Sequence, residues 1–158
     1  MDTQHADFIR EAIRMATENV ESGQGGPFGA LVVKDGQVIG RGVNRVTGNN
    51  DPSAHAEVEA MRDACQNIGH YWLKDAVIYA SCEPCPMCLG AIYWARIKTI
   101  YFAADNKDAS RAGFDDSFIY REFALPREDR SVRSVQLKDS ERNQPFDHWI
   151  RMENKASY

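Results

Sequence analysis

The chain has no apolar run of about 18 residues or more, so no helix is expected to span a membrane. It has no basic, apolar leader either: the first residues are Met1-Asp2-Thr3-Gln4-His5, which argues against a signal peptide and makes the cytoplasm the expected compartment. Positive charge is not in excess. Lys and Arg number 19 against 23 Asp and Glu, a net charge of −4 that counts against a nucleic-acid partner held through its phosphates. Low-complexity tracts, repeats and Pro/Gly/Ser linkers are missing, which points to one domain over residues 1–158. Cysteine is scarce, four in 158 residues, but it is clustered: Cys82, Cys85 and Cys88 lie close together and Cys65 stands apart. In a cytosolic chain such a cluster reads as metal or redox chemistry before disulfides.

Hydrophobic spacing predicts the elements. Ile9, Ala12, Ile13, Ala16 and Val20 mark an amphipathic helix over residues 6–20. Residues 28–34 and 37–44 read as strands joined by the two-residue turn Asp35-Gly36. Ser53 is placed to cap a helix that runs to Ile68 and closes at Gly69. A buried strand over 76–81 precedes a helix from Pro84 or Cys85 to about Arg96, then a strand over 97–103. Residues 105–114 and 117–123 read as loop or short helix. Residues 131–137 read as an edge strand and 145–155 as a last helix. Strands alternating with helices imply a three-layer α-β-α sandwich around a mixed five-stranded sheet.

The chemistry concentrates in two short segments. Cys85 and Cys88, three apart in a first helical turn, can turn both thiolates to one ion, and the helix N-terminus favours their ionisation. His55, at the start of another helix, makes a third ligand. Three ligands leave a fourth place for water, the arrangement of a catalytic zinc. Glu57, two residues after His55, suits a proton shuttle that does not itself bind the metal. A redox Cys-x-x-Cys would leave His55 and Glu57 idle, and Cys82 as a fourth ligand would close the water position. Cys65 reads as a small buried hydrophobe.

The pattern His55-Ala56-Glu57 followed by Pro84-Cys85-Pro86-Met87-Cys88 matches the zinc nucleobase deaminase signature. On these residues the chain resembles the cytidine deaminase-like superfamily. The resemblance takes in Gly25-Gly26-Pro27-Phe28-Gly29-Ala30, and Gly113-Phe114-Asp115-Asp116 with the terminal Tyr158 make the chain similar to that superfamily's guanine-deaminating branch. The resemblance implies one zinc ion per chain on His55, Cys85 and Cys88, with Glu57 as shuttle. It implies a purine pocket with Phe28 and Trp94 as apolar walls, Ala56 and Asn44 in contact with the base, Asp116 accepting from its N–H groups, and Tyr158 closing over it. It further implies a homodimer in which the C-terminal helix and tail, about residues 144–158, pack over an active site, either their own or, by exchange, the partner's. The expected reaction is hydrolysis of guanine to xanthine and ammonia. A tRNA adenosine or nucleoside deaminase, and a structural zinc module, are the competing readings.

Overall fold

A computed structural model describes residues 3–158. The elements run α1 (Thr3–Glu21), β1 (Gly29–Lys34), β2 (Gln37–Val43), α2 (Val46–Asn49), α3 (Ala56–Ile68), β3 (Val77–Cys82), α4 (Pro86–Trp94), β4 (Thr99–Ala104), α5 (Asn106–Arg111), α6 (Ser117–Ala124) and α7 (Gln144–Arg151). They fall into two compact units, one reaching Phe118 and one from Ile119 to Tyr158. Among the described residues no helix is long and apolar enough to cross a membrane.

The first unit holds a mixed sheet of order β2-β1-β3-β4. β1 is antiparallel to both β2 and β3, while β3 and β4 are parallel across the α4 crossover. The β1–β2 turn is the expected one: Asp35 and Gly36 have φ of 50° and 74°, the pair of positive values that a type I′ turn needs. Alternation along β1 divides the core between two faces. Ala30 and Val32 pack with Ala56, Ala60, Ile78 and Ile92 on one side, and Leu31 and Val33 pack with Tyr79, Phe8 and Ile9 on the other. The expected three layers follow: α3 and α4 cover one face, α1 the other.

Small residues let both covering layers approach closely. A Cβ on Gly29 would lie 2.4 Å from the Ala12 carbonyl oxygen of α1. One on Gly42 would lie 2.2 Å from the Ala56 carbonyl oxygen at the start of α3. The helix that carries His55 and Glu57 is therefore seated directly on the β2 backbone. On the other face α1 is pinned by a 2.6 Å hydrogen bond between His5 Nδ1 and the Tyr79 hydroxyl. The buried stripe of α1 is Ala12, Ala16 and Asn19, whereas Ile13 and Val20, expected inside, are exposed.

Two further expectations fail. The sheet has four strands, not five, because residues 131–137 form no ladder. Their apolar side chains fall at 132, 135 and 137, a mixed spacing that presents no single face, and Val132, Val135 and Leu137 are 75%, 62% and 80% exposed. Ser131 bonds instead to Glu122 Oε2 through both its N–H and its hydroxyl, at 2.7 and 2.9 Å. Ser53, for its part, does not cap α3; its N–H and hydroxyl go to Asp51 Oδ1 at 2.8 and 2.7 Å, and the helix begins three residues later. The local Asx turn outcompetes the cap. Within the second unit, α7 is strongly amphipathic, with Phe146 and Ile150 exposed, and Trp149 meets Tyr158 edge-on at 6.3 Å.

Candidate metal centre and substrate pocket

β2 and β3 point the same way, since each is antiparallel to β1, so their carboxyl ends share one edge of the sheet. Both lead into helices there, the position where open α/β sheets place their ligand sites. His55 is the N-cap residue of α3 and Cys85 that of α4, each with extended backbone. Neither spends its side chain on capping, so both remain for another partner. Pro86 occupies the first turn of α4, where its missing N–H costs nothing. Ahead of α3, the Arg45 N–H to Ala54 carbonyl bond of 2.9 Å ties the loop down immediately before His55.

His55 Nδ1 lies 3.5 Å from Cys85 Sγ and 3.5 Å from Cys88 Sγ. Among the described residues this triad is the one group of His, Cys, Asp and Glu that could hold an ion, with all three donor atoms within 4.8 Å of one another. Zinc bond lengths of about 2.0–2.1 Å to nitrogen and 2.3 Å to sulfur, set tetrahedrally, put nitrogen and sulfur roughly 3.6 Å apart. The donor set and its spacing therefore fit zinc, which His55, Cys85 and Cys88 would hold.

The charges are arranged for it. The Cys85 thiol is held down to about 4, first by the Cys88 thiol that donates to it and then by His55 against the cost of burial. Cys88 moves up because it is that donor and because it is buried. His55 is raised by its bond to Cys85. Beside the triad, Oε2 of buried Glu57 lies 3.5 Å from Cys88 Sγ. Burial pushes its carboxyl up, which strengthens it as a proton acceptor. Cys82 is outside the triad: its thiol faces the Asp105 carbonyl at 3.8 Å and burial pushes it up to about 11. Cys65 is half-buried against the α3 side of the core.

The expected pocket residues are not all brought together. Asn44, buried at the end of β2, accepts at Oδ1 from the N–H groups of Gly26 and Val46, each at 3.3 Å. Phe28 meets Phe114 edge-on, with centroids 5.0 Å apart, so Phe114 joins the wall that the sequence assigned to Phe28 and Trp94. Ala56 is buried in the first turn of α3. The paired aspartates separate by role. Asp115 accepts from the Ser117 N–H at 2.9 Å, whereas the Asp116 carboxyl is raised first by desolvation and then by the Cys85 charge that it faces. Trp94 is not beside the ligands of its own chain. It ends α4, roughly 13 Å along the axis from Cys85 at about 1.5 Å per residue, and is 65% exposed. Tyr158 lies in the second unit. Sequence reasoning also passed over Asn19, although a polar residue on the stripe of Ala12 and Ala16 was a signal in plain view.

A His-Cys-Cys centre on two helix N-termini, with a buried carboxylate beside it, defines the class as a zinc-dependent hydrolase of the deaminase type. Residues 2–104 match the model of the cytidine and deoxycytidylate deaminase zinc-binding region, and the chain belongs to that family. It is 53% identical to guanine deaminase of Bacillus subtilis, over 98% of this chain and 99% of the relative. The X-ray structure of that Bacillus subtilis protein superposes with a TM-score of 0.95, covering 98% of both chains. The tRNA-specific adenosine deaminase of Buchnera aphidicola is 39% identical over 68% of this chain and 70% of its own length.

Proposed function

We propose that the protein hydrolyses guanine to xanthine and ammonia. The observation that carries guanine over other bases is the likeness to the Bacillus subtilis guanine deaminase, which extends through both units, while that to the Buchnera aphidicola tRNA deaminase covers about two thirds of the chain. The net charge of −4 also favours a small base over a polyanionic strand.

When bound, zinc supplies a water whose pKa falls to about 7. Glu57 Oε2 takes a proton from the attacking water and passes it to the ring nitrogen beside the amino-bearing carbon, then carries the second proton of that water to the amino group, which leaves as ammonia. Guanine and water give xanthine and ammonia, with no redox partner. Asp116 accepts from the N–H groups that crowd one edge of guanine, while Asn44 donates through Nδ2 to an acceptor on the base. Phe28, with Phe114 against it, and Ala56 exclude water from the ring. A base without those donors would leave the Asp116 carboxylate unpaired, which is how such a site discriminates.

Ammonia release from guanine, guanosine, adenine, cytosine, cytidine and a transfer RNA, each with zinc-loaded protein, tests the reading. Guanine is expected to be turned over fastest. Guanine inert while another substrate reacts would overturn it.

We also read the protein as a cytoplasmic homodimer whose residues 144–158 cover an active site and bring Tyr158 to the base, by exchange if the covered site is the partner's. Its four unpaired thiols suit a reducing compartment. In support of assembly, no residue after Ile119 is buried, and Tyr93, Trp94, Phe146 and Ile150 present exposed apolar surface. A chain ending at Met152 should keep its zinc and lose at least about tenfold in kcat/KM, a loss of roughly 1.4 kcal/mol. Unchanged kinetics would reject the closing role, and a monomer in light scattering would reject the dimer.

A further inference from the structure

We infer that Asn19 is a positioning residue, fixing the direction in which Asn44 presents its carboxamide to the purine. This rests on the purine reading above, although the geometry belongs to this chain alone. Asn19 lies in the last turn of α1 and is buried on the stripe it shares with Ala12 and Ala16. A buried amide is costly unless its hydrogens are used. Asn19 Nδ2 uses both: it donates to the Gly26 carbonyl at 2.9 Å and to the Asn44 carbonyl at 3.0 Å. These two acceptors come from two separate loops, the one between α1 and β1 and the one after β2, so a single side chain joins them.

The join closes a circuit. Gly26 returns its N–H to Asn44 Oδ1 at 3.3 Å, and the Asn44 N–H goes to the Phe28 carbonyl at 3.1 Å. Val46 adds a second N–H to Asn44 Oδ1 at 3.3 Å. With two donors on Oδ1, the carboxamide has one stable orientation: a flip would turn its NH2 against two N–H groups. Nδ2 is the end left for a ligand, so Asn44 reads an acceptor on the base and never a donor. The circuit has no room to loosen at Gly25, where a Cβ would lie 2.0 Å from the Asn44 carbonyl oxygen and 2.8 Å from Asn19 Nδ2. The same circuit holds Phe28 in place, since Phe28 gives its carbonyl to Asn44 and its N–H to Gly26 at 2.9 Å. Asn19 thus sets both a hydrogen-bonding group and a wall of the pocket without touching the base.

The test separates positioning from general support. In Asn19→Ala, KM for guanine is expected to rise about tenfold, with kcat within about twofold of wild type. Zinc should remain at one equivalent. Asn19→Asp, the same shape with a carboxylate facing two carbonyl oxygens, should be worse than Asn19→Ala. In an Asn44→Ala background, Asn19→Ala should add clearly less to KM than it does in wild type, because the carboxamide is gone and only the Phe28 wall is left for it to position. Amide exchange of Gly26 and Val46 should accelerate about tenfold in Asn19→Ala, with or without zinc and substrate. If Asn19→Ala does not fold, Asn19→Ser keeps one donor and should give the same changes at smaller size. Unchanged KM, a loss confined to kcat, full additivity with Asn44→Ala, or unaltered exchange at Gly26 and Val46 would each overturn the inference. Wild-type protein that releases no ammonia from guanine would instead overturn the function reading, and the exchange measurement would still judge the clamp.

Discussion

Glu57→Gln is expected to keep a full equivalent of zinc and to lower guanine turnover by about 10³–10⁴-fold. A positioned acid or base contributes about 10²–10⁴-fold per proton transfer, and Glu57 is assigned more than one, which places the effect at the upper end. The geometry explains why the metal should stay. Glu57 is outside the triad of donor atoms that meet within 4.8 Å, and it touches the site through the Cys88 thiol at 3.5 Å. Glutamine can still meet the Cys88 sulfur there, by donating from Nε2, and it fills the same buried space without the carboxyl whose proton affinity burial has raised. Parallel zinc analysis and ammonia-release kinetics decide it. Zinc loss like that of a ligand variant, or turnover within about tenfold of wild type, would remove Glu57 from the shuttle role.

Cys88→Ala is expected to do the opposite: to lose zinc first and activity as a result. Complete zinc sites bind with about 10–16 kcal/mol. Forfeiting even a third of the lower figure, about 3 kcal/mol, weakens binding more than a hundredfold. Competition with a chelating indicator measures the affinity. Zinc retained at wild-type affinity with activity intact would show that Cys88 is not a ligand.

What could be read in the sequence was whatever short spacing determines. The Asp35-Gly36 turn needs two positive φ values, and the chain supplies residues that tolerate them. Gly69 ends α3 at φ 66° for the same local reason. Cys85 and Cys88 are read from one helical turn, and His55 with Glu57, two residues apart, from the start of another. What could not be read depends on distant partners. Ser53 looked like a cap until Asp51 took both of its donors. Residues 131–137 are rich enough in valine for a strand, yet β-propensity expresses packing against neighbours and none of them acquires a buried face. Trp94 falls in the same motif stretch as the cysteines, but 1.5 Å of rise per residue carries it to the other end of α4. Asn19 was visible as a misplaced polar residue, and its meaning came only from two carbonyls 7 and 25 residues away.

The convergence of two helix starts has a consequence for durability as well as for chemistry. His55 and Cys85 are 30 residues apart along the chain, on two different strand-to-helix passages. An ion shared between them would be a stitch that closes a loop of that size. In a disulfide the same closure would remove about 3–4 kcal/mol of freedom from the unfolded chain. A protein with four free thiols and no cystine thus has an alternative cross-link, one that a thiol reductant leaves intact and a chelator cuts.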